Sequence, residues 1–338
     1  MGYNTKTEQT MNGLIYKVNG RVLDDCEIEK FNTFYEYLNK NPKKVKLIYR
    51  GENYDNLKEK LNLIGCNDYN KLNQCVFLLG EKGRVYRNEY KNKIKHKSKI
   101  YSIDNINESL FNKIFDKFNI IFSKKFIKPE IIIFKSNNFE FSEYFKDKSK
   151  NKLDFISKIN SVNIISEKLK IRDYYLSLLH KIGVIGFHHN SFFTSTSTDY
   201  NTAINFSKNP NNSEKIIFVS WVKYPINRIG INFNYLNLFK NKILQIGLPT
   251  YNKSFFPTQN EISIKGGLLP HFILGYIRLE DNIFEINPNL FPSTKVFEKT
   301  VKNGFKIDQS NFTEVLNETD YSGFFMLDDN NEYSDINT

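Results

Sequence analysis

The feature that most constrains this chain is a change of period near residue 190. Before it, apolar residues recur mainly at helical spacing. After it, they come in short β-branched or aromatic runs bounded by Asn, Gly or Pro. EIEKFNTFYEYLNK (27–40), NYDNLKEKLNLIG (53–65), SLFNKIFDKFNIIF (109–122) and SEKLKIRDYYLSLLHKIG (166–183) read as helices, with Gly65 and Gly183 as stops. KKVKLIYRG (43–51) and KPEIIIFK (128–135) read as strands within this first part, and 140–163 as a loop or short helices. SFFTSTS, KIIFVSWV (215–222), NEISI (260–264), HFILGYIRL (271–279) and NIFEI (282–286) read as strands of the second. Helices followed by strands predict an α+β fold with a helical N-terminal half.

At 338 residues the chain can bury one large core or two modest ones, and 30 Phe with 20 Tyr supply the material. No apolar run reaches the length of a transmembrane helix. The start, MGYNTKTEQTMNG, lacks a basic region followed by an apolar stretch, so no secretory signal is read and a cytoplasmic location, without membrane contact, is expected. Cys26, Cys66 and Cys75 are odd in number and lack metal-ligand spacing; they read as free thiols, and no metal is expected.

The net charge of +11 calls for an acidic partner, and the eight acids beyond Lys306 leave residues 1–306 at +19. Those acids predict a solvated, mobile C-terminal tail that screens a basic face of the body. The segment 81–99 carries eight Lys or Arg against two Glu. Arginine, the better residue for bidentate phosphate recognition, numbers only 7 among the 48 basic residues, a profile that also fits an AT-rich genome.

Three stretches carry chemistry-bearing residues in a fixed order. LIYRGE ends a predicted strand in Arg50 followed by Gly51. FFTSTSTDYNTAINF places Ser195, Thr196 and Ser197 behind two phenylalanines and ahead of Ala203 and Phe206. FFPTQNEISIKGGLLPHFILGY carries Gln259 and Glu261 into a strand, with Phe255 and Phe256 just before. The plain readings are a surface arginine, a Thr-rich strand end with Asp199 capping the next helix, and a strand-edge carboxylate.

Together the three resemble the mono-ADP-ribosyltransferases of the Arg-Ser-Glu class, which include many bacterial toxins. The resemblance covers residues 43–65 and 185–290. It implies a split antiparallel or mixed β-sheet core at 166–295, preceded by N-terminal helices and the first core strand at 1–65. An insertion or accessory region would fill 66–165, and a C-terminal extension with the acidic tail 296–338. It implies NAD+ as co-substrate and no metal. Glu261 would stabilise the oxocarbenium-like ribose, Arg50 would pair with the dinucleotide phosphates, and the Gly51 backbone would hold the nicotinamide carboxamide. Ser195 would position Glu261 and the ribose, while Thr196 and Ser197 keep the strand in register. The 145 residues between Arg50 and Ser195 are more than such relatives show, which leaves Arg87, in RVYRNEY, as the alternative arginine.

Gln259 bears on the acceptor. Relatives that modify arginine carry a second glutamate there; glutamine can orient an amide, a thiol or a nucleobase amine but is no general base. The resemblance therefore implies a non-arginine acceptor recognised by Gln259, Phe255 and Phe256, with RNA or DNA favoured over Asn, Gln or Cys of a protein. It implies an intracellular toxin or effector, with a neutralising antitoxin as a partner. An NAD glycohydrolase, or a non-catalytic binding module of the same fold, are the alternatives. His188, His189 and His271 read as structural.

Overall fold

The computed structural model describes residues 13–40, 45–60, 68–79, 106–124, 128–182, 193–208, 214–223, 230–231, 240–256, 259–265, 273–287, 325–327 and 333–335, with Met11, Leu63 and Gly65. Arg87, the basic segment 81–99, His188, His189 and His271 lie outside them. The fold is α+β, and the chain divides into two compact units: residues 1–94, 194–230 and 260–338 in one, residues 95–193 and 231–259 in the other.

The first unit is built on a sheet. Its strands are β1 (Ile15–Val18), β2 (Arg21–Val22), β3 (Val45–Asn53), β4 (Phe193–Ser197), β5 (Lys215–Lys223), β6 (Gly230–Ile231), β7 (Glu261–Lys265), β8 (Ile273–Arg278) and β9 (Ile283–Ile286), in the spatial order β2-β1-β9-β8-β5-β3-β4-β7-β6. β1 runs parallel to β9, while β3 is antiparallel to both β4 and β5. Helices α1 (Asp25–Lys40), α2 (Tyr54–Lys60) and α3 (Tyr69–Leu79) accompany it. Phe218, Val219, Leu274, Tyr276 and Phe284 are fully buried along the central strands, as expected of apolar runs covered on both faces.

The second unit is helical: α4 (Glu108–Ser123), α5 (Pro129–Asn137), α6 (Phe139–Lys146), α7 (Lys148–Asn160) and α8 (Ile165–Ile182). In α4, Leu110, Phe111, Ile114, Phe115, Phe118, Ile121 and Phe122 are buried at three- and four-residue spacing, and Asn107 caps the start by accepting from the Leu110 N–H at 2.9 Å. The core is aromatic. Phe118 and Phe145 lie 4.6 Å apart by ring centroid, Phe141 and Phe145 4.9 Å, and Phe155 and Tyr175 5.3 Å, within the range where such pairs add to simple burial.

Three expectations are corrected. Residues 129–137 form helix α5 instead of a strand. Pro129 occupies its first turn, where the missing N–H costs nothing. Burial falls on Ile131 and Phe134, three apart, while Ile132 and Ile133 are exposed, so packing overrides the strand propensity of the isoleucines. The first part holds more strand than expected: β1 and β2 join the expected strand at 43–51, β3, in the sheet. Residues 66–94 group with the sheet, and 166–193 and 231–259 with the helices. Helix α8 joins them because Tyr174 and Tyr175 bury their rings there. Finally, the acidic C-terminus is not wholly extended tail: Phe325–Leu327 and Tyr333–Asp335 pair as antiparallel strands β10 and β11.

An electrostatic clamp ties two helices of the second unit. Lys148 and Lys152 reach the Asp116 carboxylate at 2.9 and 2.8 Å. Burial pushes the Asp116 carboxyl up, but hydrogen bonds from Lys152 and Lys148 outweigh it and hold the pKa below the ordinary value. A depressed folded-state pKa contributes stability above the unfolded value and loses it as pH falls through the folded one. The wild type's resistance to thermal unfolding should therefore fall between about pH 5 and about pH 2 more steeply than that of Asp116→Asn. Identical pH profiles for the two would refute the clamp.

Candidate active site

Three adjacent strands, β3, β4 and β7, carry the three sequence motifs of the sheet unit. They come from distant parts of the chain, and only the strand order brings them side by side. Arg50 lies near the end of β3. Its Nη1 donates to the Ser195 carbonyl of β4 at 2.7 Å, and its Nη2 to Glu52 at 3.4 Å. With one bond to a neighbouring strand and one to its own, the guanidinium plane has little freedom. Its side chain is only 15% exposed. Glu52 is buried, follows Arg50 by two residues and so shares its face of the strand. Sequence reading missed it; a carboxylate two positions beyond a strand arginine is the signal that could have found it.

Gly51 faces the other side of β3. A Cβ there would lie 1.8 Å from the Ala203 carbonyl oxygen and 2.7 Å from the Ser207 nitrogen. Both belong to α9 (Tyr200–Ser207), whose backbone packs directly on this glycine. The absence of a side chain at 51 is thus demanded by helix packing alone. Asp199 caps α9 by accepting from the Thr202 N–H at 3.1 Å, and the Ser197 hydroxyl accepts from the Asp199 N–H at 2.9 Å. Tyr49, opposite Ser197 across β3 and β4, meets Tyr200 of α9 edge-on with ring centroids 5.5 Å apart. Ala203 is buried, whereas Phe206 is exposed.

On the other side of β4, the buried Thr196 hydroxyl donates to the Ile262 carbonyl of β7 at 2.7 Å, and the Thr198 N–H to the Asn260 carbonyl at 3.3 Å. These bonds set β7 against β4 and with it the position of Glu261. The Glu261 carboxylate accepts the Ser263 hydroxyl at 2.8 Å, and Ser263 is fully buried. Ser263 was also missed; the Glu-Ile-Ser alternation, which puts both side chains on one face, is its signature. Thr196→Val keeps the shape and removes the donor, so it should cost about 1 kcal/mol. Urea unfolding measures this, and an unchanged midpoint would mean that the hydroxyl does not hold the strands together.

The remaining candidates belong to the helical unit. Phe255, expected at the acceptor, is buried and stacks on Phe134 with centroids 4.1 Å apart and rings 6° from parallel. Its place is in the aromatic core. Phe256 is exposed and has φ +48°, a left-handed conformation that a bulky side chain adopts at a cost. The Gln259 N–H donates to the Phe256 carbonyl at 3.1 Å, and Gln259 is half-buried.

Comparison of the chain with family models, with curated proteins and with solved structures yields no match. No helix among the described residues is long and apolar enough to cross a membrane.

Proposed function

We propose that this protein is a mono-ADP-ribosyltransferase that moves ADP-ribose from NAD+ to a macromolecule at a site other than arginine. The supporting observation is the adjacency of β3, β4 and β7, which sets the arginine, the Ser-Thr-Ser and the glutamate strands side by side. Arg50, bonded to the Ser195 carbonyl and to Glu52, would turn its guanidinium to the dinucleotide phosphates when NAD+ binds. Glu261 stabilises positive charge on the ribose as the nicotinamide bond breaks and its electron pair leaves with the nicotinamide nitrogen. The acceptor's lone pair then forms the new bond to the ribose carbon and its proton is released. Ser263 holds the carboxylate in place through the bond it donates.

Gln259 supports an acceptor that needs orientation more than deprotonation. The charge of +19 over residues 1–306 favours a polyanion, RNA or DNA. Incubation of the purified protein with labelled NAD+ and a cell lysate, followed by separation of nucleic acid from protein, tests the reading. Label in the nucleic-acid fraction is the expected result. Label in protein would move the acceptor to Asn, Gln or Cys. Release of nicotinamide without any labelled macromolecule would make the protein a glycohydrolase, and intact NAD+ would end the proposal.

A further inference from the structure

The stretch 249–255, which precedes Gln259, is fastened within the helical unit at several points. The Pro249 carbonyl accepts the Tyr175 hydroxyl and the Tyr251 N–H donates to the Tyr174 hydroxyl, both at 2.9 Å. The next two residues are held by one side chain, Asn138. Its Oδ1 accepts the Asn252 N–H at 2.6 Å and the Lys253 N–H at 3.0 Å, while its Nδ2 donates to the Lys253 carbonyl and to the Phe134 carbonyl, each at 2.9 Å. Phe255 then stacks on Phe134, and the Gln259 N–H donates to the Phe256 carbonyl.

Asn138 is 4% exposed and stands between α5 and α6 as the N-cap residue of α6. An asparagine there ordinarily accepts from an N–H of the first helical turn. This one makes no such bond. Its amide is turned instead to the stretch Asn252–Lys253, to which it makes three bonds, and a fourth goes to the Phe134 carbonyl. Rotating the amide would set its NH2 against two N–H groups, so the network admits a single orientation.

We propose that Asn138 is a positioning residue for acceptor transfer. By holding both sides of Lys253 it anchors the chain ahead of Gln259 and so serves transfer to the acceptor, whereas Glu261 serves cleavage of NAD+. The proposal rests on the transferase reading above and deepens it: it separates the residues that serve the two half-reactions.

The test compares full-length wild type, Asn138→Asp and Asn138→Ala in two assays. One measures nicotinamide release from NAD+ without lysate; the other measures label incorporated from NAD+ with lysate. Aspartate keeps the size and the two acceptor bonds but faces the Phe134 and Lys253 carbonyls with no donor. Incorporation should fall roughly 100-fold in both variants, the scale of a reacting group misplaced by about 1 Å, with nicotinamide release within about twofold of wild type. Trypsin should cut after Lys253 sooner in both variants, while melting temperature and far-ultraviolet circular dichroism report whether the fold is kept. Equal loss of both activities in a folded variant would overturn the assignment. So would wild-type incorporation in a variant whose Lys253 has become cleavable. Wild type that releases nicotinamide but labels nothing removes the positioning role alone; wild type that leaves NAD+ intact removes the transferase reading, and the positioning role with it.

Discussion

Glu261→Gln should abolish cleavage of NAD+ while leaving the fold untouched. The substitution preserves volume, and the new amide oxygen can still accept the Ser263 hydroxyl that the carboxylate holds at 2.8 Å. What it removes is the negative charge opposite a developing cation. Loss of a preorganised electrostatic partner of this kind costs about 1000-fold in rate, or about 4 kcal/mol of barrier. Ser263→Ala should do less, roughly tenfold, because it frees the carboxylate to rotate without discharging it. The order of the two effects is the informative part. Nicotinamide release, measured at saturating NAD+ with unfolding curves alongside, should fall far more for Glu261→Gln than for Ser263→Ala. Equal activity of Glu261→Gln and wild type would remove Glu261 from the chemistry, since a merely structural carboxylate tolerates the amide.

The local elements of this fold were legible because each is announced by period and punctuation. β5 reads from KIIFVSWV, and α4 from seven apolar residues on one stripe. β1 and β2 should have been read too. Asn19 and Gly20, with φ +49° and +79°, form the Asn-Gly turn that joins Val18 to Arg21, the strongest short-range hairpin signal a sequence carries. α5 misled because three consecutive isoleucines weigh toward strand, whereas the stacking of Phe134 on Phe255, from a segment far along the chain, decides the matter. Which strands far apart in the sequence are neighbours was not legible from its periodicity. Arg50 and Ser195 are separated by 145 residues, and Thr196 and Ile262 by 66; pairing over such distances leaves no trace in local periodicity. For the same reason Phe255 and Phe256 looked equivalent as sequence neighbours. Backbone geometry turns one into the core and the other toward solvent.

Gly51→Ala should destabilise the protein by about 3 kcal/mol or more, the upper range for overpacking, and lower its urea midpoint accordingly. A methyl at this position collides with the Ala203 carbonyl oxygen at 1.8 Å and the Ser207 nitrogen at 2.7 Å. Both are backbone atoms, so no rotamer change relieves the contact and no second substitution at 203 can make room. The strand cannot retreat easily either: β3 is paired along its whole length with β5, from Val45 opposite Lys223 to Asn53 opposite Lys215. Helix α9 would have to lift, and with it the Asp199 cap, the Ser197 bond and the Tyr49–Tyr200 contact that end β4 in its present register. Arg50 would then lose the fixed position of the Ser195 carbonyl, so binding of NAD+ should weaken together with stability. The alternative role for this glycine, direct contact with nicotinamide, predicts something different. A Gly51→Ala protein that unfolds like wild type yet no longer binds NAD+ would show that α9 yields to the methyl. The glycine would then serve the ligand instead of the helix.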